Sequence, residues 1–169
     1  MLCAVIFDMD GVLVDPTQSY RQSVIETVVA MGGRRLTFAD IEDYKNQGGW
    51  NNDWMLSQRI LRDHGIEAAY EDVIERFNAI FFGANGDGLV LREEWLVNDD
   101  LFSRLAQRHR LSIFTGRRRC DAQITLHRFA PHWRFAPVVC MEDVENHKPA
   151  PDGLFRIQEE LPGTRLFFL

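Results

Sequence analysis

Residues 4–15 read Ala4-Val5-Ile6-Phe7-Asp8-Met9-Asp10-Gly11-Val12-Leu13-Val14-Asp15. The four apolar residues that open this stretch are too few for a helix and suit a strand buried on both faces. The run meets two aspartates, Asp8 and Asp10, and then Gly11, which lets the backbone turn tightly or approach a ligand closely. A polar turn after a strand explains Asp10-Gly11 but not Asp8, which directly follows Phe7. Acids crowded at a strand end repel each other unless a cation holds them. A divalent, oxygen-liganded ion such as magnesium is the natural partner.

Three further short apolar runs follow: Leu111–Phe114, Pro137–Cys140 and Leu166–Leu169. Helix-length segments separate them. Asn98 can cap a helix carrying Leu101, Phe102 and Leu105. Asp121 to Phe129 carries Ile124 and Leu126 and stops before Pro131. Pro151 opens a helix with Leu154, Phe155, Ile157 and Leu161, ended by Pro162-Gly163. Buried parallel strands joined by helical crossovers are written this way, so the expected class is α/β with an open parallel sheet.

The first crossover is the exception. About a hundred residues separate Phe7 from Leu111, far more than one crossover needs. They hold their own helical patterns. One runs from Asp15-Pro16 to Gly32-Gly33, one is capped by Thr37, and one runs from Asn52 to Gly65. The clearest amphipathic stripe, Val73, Ile74, Phe77, Ile80 and Phe81, lies in Tyr70–Phe82. Residues 16–83 therefore read as an inserted helical domain, with residues 1–15 and 84–169 forming the core.

The rest of the composition narrows the class. Of 169 residues, 46% are hydrophobic and 26% charged, a balance that supports a packed core rather than disorder. The formal net charge of −6 argues against non-specific nucleic-acid binding and against a basic membrane-surface helix. No apolar run approaches the roughly 18 residues of a membrane span. The N-terminal apolar run is too short for a signal peptide and has no basic start. Cys3, Cys120 and Cys140 are odd in number and lack zinc-ligand spacing, so free thiols in a cytoplasmic protein are expected.

Chemistry-bearing residues recur at the ends of the later strands. Thr115-Gly116-Arg117 follow the second strand. A hydroxyl and a glycine amide there can hold an anion, although the same triplet is equally an ordinary helix-start turn. Glu142-Asp143 and then His147-Lys148-Pro149 follow the third. A lysine beside carboxylates and phosphate supplies compact positive charge, whereas an isolated lysine is usually a solvated surface residue. The ends of parallel strands share one sheet edge, so these side chains can converge.

In that combination the sequence resembles the haloacid dehalogenase superfamily, in its phosphatase branch, and specifically subfamily I with a helical cap. Asp8-Met9-Asp10-Gly11-Val12 matches the first motif, Thr115 the second and Lys148-Pro149 the third. The resemblance implies a Rossmann-like parallel core with helices on both faces and an inserted α-helical cap. It implies that Asp8 is a nucleophile forming a phosphoaspartyl intermediate, and that Asp10 is the acid and then the base. It also implies that Thr115 and Gly116 hold phosphoryl oxygens, with Arg117 beside them, and that Lys148 balances charge. Magnesium would bind through the Asp8 carboxylate and the Asp10 carbonyl. The superfamily's dehalogenases lack an aspartate at the position of Asp10, so phosphate chemistry is favoured.

One feature departs from that pattern. The fourth motif is one or two acids directly after the fourth core strand, and the sequence reaches Leu169 within that strand. The expectation is a native chain that continues with an aspartate, with Glu142 or Asp143 as lesser substitutes. In the cap, the segment Lys45 to Trp54, containing Asn51, Asn52 and Asp53, resembles the specificity loop of subfamily I phosphatases. Read structurally, it is a glycine-rich connection with Asn52 as N-cap and with Trp50 and Trp54 as core. The expected activity is magnesium-dependent hydrolysis of a small phosphorylated metabolite, with phosphoglycolate a candidate. The alternatives are a phosphosugar mutase using the same aspartates and an inactive binding domain.

Overall fold

The computed structural model describes residues 3–50 and 52–169. The chain divides into two compact units, one made of the segment ending at Asp15 plus Glu94–Leu169, the other of Pro16–Glu93.

The first unit carries strands β1 (Cys3–Phe7), β2 (Val14–Asp15), β3 (Glu94–Trp95), β4 (Arg110–Phe114), β5 (Phe135–Val139) and β6 (Arg165–Phe168). Its helices, numbered along the whole chain, are α5 (Asp99–Ala106), α6 (Arg119–Phe129) and α7 (Asp152–Glu160). Four strands form one parallel sheet in the order β5-β4-β1-β6. The central strands β1 and β4 are the apolar runs read from the sequence, and their side chains alternate between two cores. Val5, Phe7, Leu111 and Ile113 pack with Phe102 of α5 and Ala122 of α6. Ala4, Ile6, Phe114 and Val139 pack with Ile157 of α7 and Leu161 beyond it. Helices thus cover both faces, which is why these strands are largely apolar, with the buried Ser112 hydroxyl donating to Ala136 O at 3.1 Å.

The outer strands are less regular. Pro137 has no N–H to give a ladder and is tolerated because β5 is an edge strand. The pairing of β4 with β5 shifts register between Leu111 and Ile113. On the other edge, Phe167, Phe168 and Leu169 are exposed. The fourth strand nevertheless docks firmly: Asp8 N donates to Leu169 O at 3.0 Å and Leu169 N to Ile6 O at 3.0 Å. A two-stranded antiparallel ribbon of β2 and β3 pairs Val14 with Trp95 and Asp15 with Glu94. Sequence patterning does not announce it, because two residues per strand show no period.

The second unit holds α1 (Gln22–Ala30), α2 (Phe38–Asn46), α3 (Asp53–Asp63) and α4 (Tyr70–Phe82), with a π-helical turn at Thr17–Arg21 and a 3-10 turn at Leu89–Arg92. The helix expected to start at Asp15-Pro16 opens with that π-helical turn. Val28, Ile41, Leu56, Ile60, Phe77 and Phe81 are buried together. Thr37 and Asp40 form a reciprocal capping box at the start of α2. Gly83 ends α4 with φ +73°, a conformation that favours glycine. Residues 84–93, assigned to the core from sequence, cluster instead with these helices. Gly88 N bonds to Phe82 O at 2.9 Å, Val90 is buried in the helical core, and buried Glu93 accepts from Ser19 Oγ at 3.1 Å. No helix among the described residues is long and apolar enough to cross a membrane.

Candidate active site

The chain leaves β1 at Asp8 and turns back at once. Leu13 N and Val14 N both donate to Met9 O, and Gly11 N donates to Val14 O. Gly11 takes φ +79°, the conformation its lack of a Cβ permits. The turn aims Asp8 and Asp10 off the end of the strand. Among the described residues, no hydrogen bond reaches the Asp10 carbonyl.

Asp8 meets Lys148. Lys148 Nζ lies 2.9 Å from Asp8 Oδ1 and donates to Phe114 O at 2.7 Å. The same ammonium stands over the rings of Phe114 (4.6 Å) and Phe168 (5.1 Å). Those rings desolvate one side of the cation and contribute a cation–π attraction. Met9 N donates to Asp8 Oδ1 at 2.7 Å, so that oxygen has two partners. Lys148 is therefore not an isolated, solvated surface lysine.

Thr115 follows β4 and is fully buried. Its amide bonds to Val139 O at 3.0 Å, and its Oγ1 accepts from Arg117 N at 3.1 Å. The hydroxyl proton can still be donated. Gly116 is exposed, and its amide has no hydrogen bond among the described residues. Arg117 turns inward, with a side chain only 1% exposed. Its Nη2 lies 2.6 Å and its Nε 3.0 Å from Asp10 Oδ1, and Nη1 donates to Thr125 Oγ1 at 2.7 Å. The structure thus brings Asp8 to Lys148 and Asp10 to Arg117, at neighbouring strand ends.

Glu142 and Asp143 are committed elsewhere. Both Glu142 carboxylate oxygens accept from Arg119 N, the first amide of α6, at 3.1 and 3.0 Å. Such capping of a helix start by a carboxylate is favourable in itself. Asp143 pairs with the Arg119 guanidinium and accepts from Cys140 N at 2.7 Å. Their acidity is used in holding β5 to α6. Burial pushes the nearby Cys140 thiol up to about 11, so it stays protonated and inert near neutrality.

Of the loop residues in the helical unit, Asn51 lies outside the described residues. Asn52 is the N-cap of α3: its side chain accepts from Trp54 N and Met55 N, both at 3.0 Å, and donates to Tyr70 OH at 3.4 Å. Lys45 Nζ and Asp53 Oδ1 form an ion pair at 2.9 Å. Trp50 and Trp54 pack on the helical core, and the Arg59 guanidinium lies 5.7 Å from the Trp50 ring. The loop is braced by its own polar groups, and Asn52 serves the helix start directly.

For a cation, the Asp8 carboxylate and the Asp10 carbonyl are hard oxygen donors on one turn. Magnesium commonly takes one or two carboxylates, with water and substrate phosphate in its other positions, and these donors fit that pattern. No cluster of three or more His, Cys, Asp or Glu able to hold a metal occurs among the described residues.

A parallel sheet thus carries an acid pair, a buried threonine and a lysine at its strand ends. Residues 5–164 match the family model of haloacid dehalogenase-like hydrolases, and the chain belongs to that family. A curated relative, described as an imidazoleglycerol-phosphate dehydratase from Phytophthora nicotianae, is 34% identical over 158 residues. The match takes in 89% of this chain and 34% of that protein, so the chain spans about a third of that relative's length. Among solved structures, one described as a predicted phosphoglycolate phosphatase from Haemophilus somnus 129PT superposes with a TM-score of 0.79 at 15% identity, covering 99% of this chain and 76% of that one. Phosphatase Tt82 from Thermococcus thioreducens gives 0.76 at 16% identity, covering 98% and 92%. At these identities the likeness is one of fold.

Proposed function

We propose that the protein is a magnesium-dependent phosphatase that hydrolyses a small phosphorylated metabolite through a phosphoaspartyl intermediate. The observation that carries this reading is the Asp8–Lys148 contact beside Asp10 at the sheet edge, in a chain of the haloacid dehalogenase-like family. Asp8 Oδ1 is tied to Lys148 and to Met9 N, which leaves Oδ2 as the attacking atom. Oδ2 forms a bond to phosphorus as the bond to the leaving oxygen breaks, and Asp10 gives its proton to that oxygen. Asp10 then takes a proton from water, whose oxygen attacks phosphorus and frees both Asp8 and inorganic phosphate.

In this reading Thr115 Oγ1–H and the Gly116 amide donate to phosphoryl oxygens, and the Lys148 ammonium offsets their charge. Magnesium, held by the Asp8 carboxylate and the Asp10 carbonyl, would supply charge neutralisation on the phosphoryl group. The helical unit is the cap, with Lys45, Asp53 and Asn51 the candidates for choosing the metabolite. Phosphate release from a panel of phosphorylated metabolites, with magnesium and with chelator, tests the proposal. The expected outcome is magnesium-dependent release that Asp8→Asn abolishes. Isomerised sugar phosphate without free phosphate would instead identify a mutase, and no turnover of any compound would leave a binding domain.

A further inference from the structure

Arg117 was expected beside the phosphoryl group, yet it points into the protein. We infer that Arg117 is a positioning residue for Asp10, held in turn by Thr125, and that it sets which carboxylate oxygen of Asp10 moves the proton. The inference rests on the phosphatase reading above and deepens it.

Each of the three guanidinium nitrogens donates to a protein oxygen. Nε and Nη2 form a two-point contact with Asp10 Oδ1, at 3.0 and 2.6 Å, and Nε lies 3.3 Å from Oδ2. Nη1 is fixed by Thr125 Oγ1 at 2.7 Å. Thr125 is 1% exposed, and its hydroxyl bonds back to Asp121 O at 3.3 Å within α6. A chain of polar contacts thus runs from rigid α6 through a planar guanidinium to the carboxylate. A guanidinium differs from an ammonium in fixing direction as well as charge.

The exposures give the arrangement a direction. The Arg117 side chain is 1% exposed and that of Asp10 is 37% exposed. The guanidinium grips Oδ1 with two nitrogens and reaches Oδ2 only through the longer 3.3 Å contact of Nε, while the Asp10 side chain keeps 37% of its surface exposed. Oδ2 is therefore the oxygen that carries the proton to the leaving group and later takes one from water. At 1% exposure the guanidinium offers almost no surface to a substrate phosphate.

The test is a series of aryl phosphates of falling leaving-group quality: 2,4-dinitrophenyl, 4-nitrophenyl and phenyl phosphate. Wild type is compared with Arg117→Lys, Thr125→Val and Asp10→Asn, with melting temperatures measured alongside. Arg117→Lys keeps the charge and loses the two-point grip. It should lower kcat for phenyl phosphate by about ten- to a hundred-fold, below the roughly hundred- to ten-thousand-fold that a general acid supplies. The 2,4-dinitrophenyl ester, whose departure needs no proton, should lose less than about three-fold in the pre-steady-state rate of dinitrophenol release, which reads the first step before water attacks, with KM little changed. Thr125→Val should show the same pattern at smaller amplitude, and it carries the test if Arg117→Lys does not fold. Adding Arg117→Lys to Asp10→Asn should cost little more, because Arg117 acts only through the Asp10 carboxylate.

An equal loss across the series with a raised KM would mean that Arg117 contacts the phosphate, and would overturn the inference. Unchanged kcat in both Arg117→Lys and Thr125→Val would overturn it too. If Asp10→Asn shows the leaving-group dependence and the Arg117 and Thr125 variants do not, only the positioning role falls. If Asp10→Asn also lacks it, the acid role itself is wrong.

Discussion

Gly153→Ala probes how the lysine is held. Gly153 is buried in the first turn of α7, and a Cβ there would lie 2.1, 2.4 and 2.6 Å from three carbons of the Phe114 ring. Carbon atoms prefer roughly 3.5–4.0 Å, so ring or helix must move by more than about 1 Å. Overpacking of this kind costs about 1–3 kcal/mol. Against it stands the better helix propensity of alanine, up to about 1 kcal/mol in a helix interior and less in a first turn. The clash wins, leaving a net loss of about 1–2 kcal/mol and a melting temperature lower by roughly 2–8 °C for a protein of this size. Function should suffer as well, because Phe114 supplies both the carbonyl and a ring that hold Lys148. Thermal melts and 4-nitrophenyl phosphate hydrolysis, run on the same preparations, report the two effects. An unchanged or raised melting temperature with unchanged kcat would refute the reasoning, by showing that α7 shifts without disturbing Phe114.

Lys148→Ala should lower kcat by roughly a hundred-fold or more, the scale seen when a pre-aligned charge-stabilising group is removed. A loss confined to KM would make Lys148 a ground-state contact only. Asn52→Ala removes the α3 cap and should cost about 1 kcal/mol, read as a lower melting temperature, with unchanged KM. Lys45→Ala should raise KM for the best metabolite in the panel and leave 4-nitrophenyl phosphate alone; equal losses on both would assign the loop a structural role. With its thiol pushed up to about 11, Cys140 should resist iodoacetamide at pH 8, where about a thousandth would be thiolate, while exposed Cys120 is labelled. Mass spectrometry of the native protein after alkylation locates the label.

Much of the parallel sheet is visible in the sequence because strands buried on both faces are mostly apolar, as are Ala4–Phe7 and, apart from Ser112, Leu111–Phe114. Helix starts at Thr37, Asn52 and Asn98 are equally readable, since capping depends on residues only two or three positions apart. The partners of the site acids are another matter. Arg117 and Asp10 are 107 residues apart, and no local pattern tells an arginine after Thr115-Gly116 to turn inward. Glu142 reads as a spare acid until β5 places it at the first amide of α6. Residues 84–93 are assigned to the core from sequence because a 3-10 turn with one buried valine has no periodicity that would tie it to the helices.

Chemical capture of the intermediate tests the central claim most directly. The Asp10→Asn variant, whose second step lacks its base, is mixed with magnesium and 2,4-dinitrophenyl phosphate, quenched in acid and digested for peptide mass spectrometry. The account predicts one added phosphoryl group on the peptide containing Asp8, and none when Asp8 is also changed to Asn. Dinitrophenol release with no phosphoryl group ever found on Asp8, and the same release from the double variant, would contradict it.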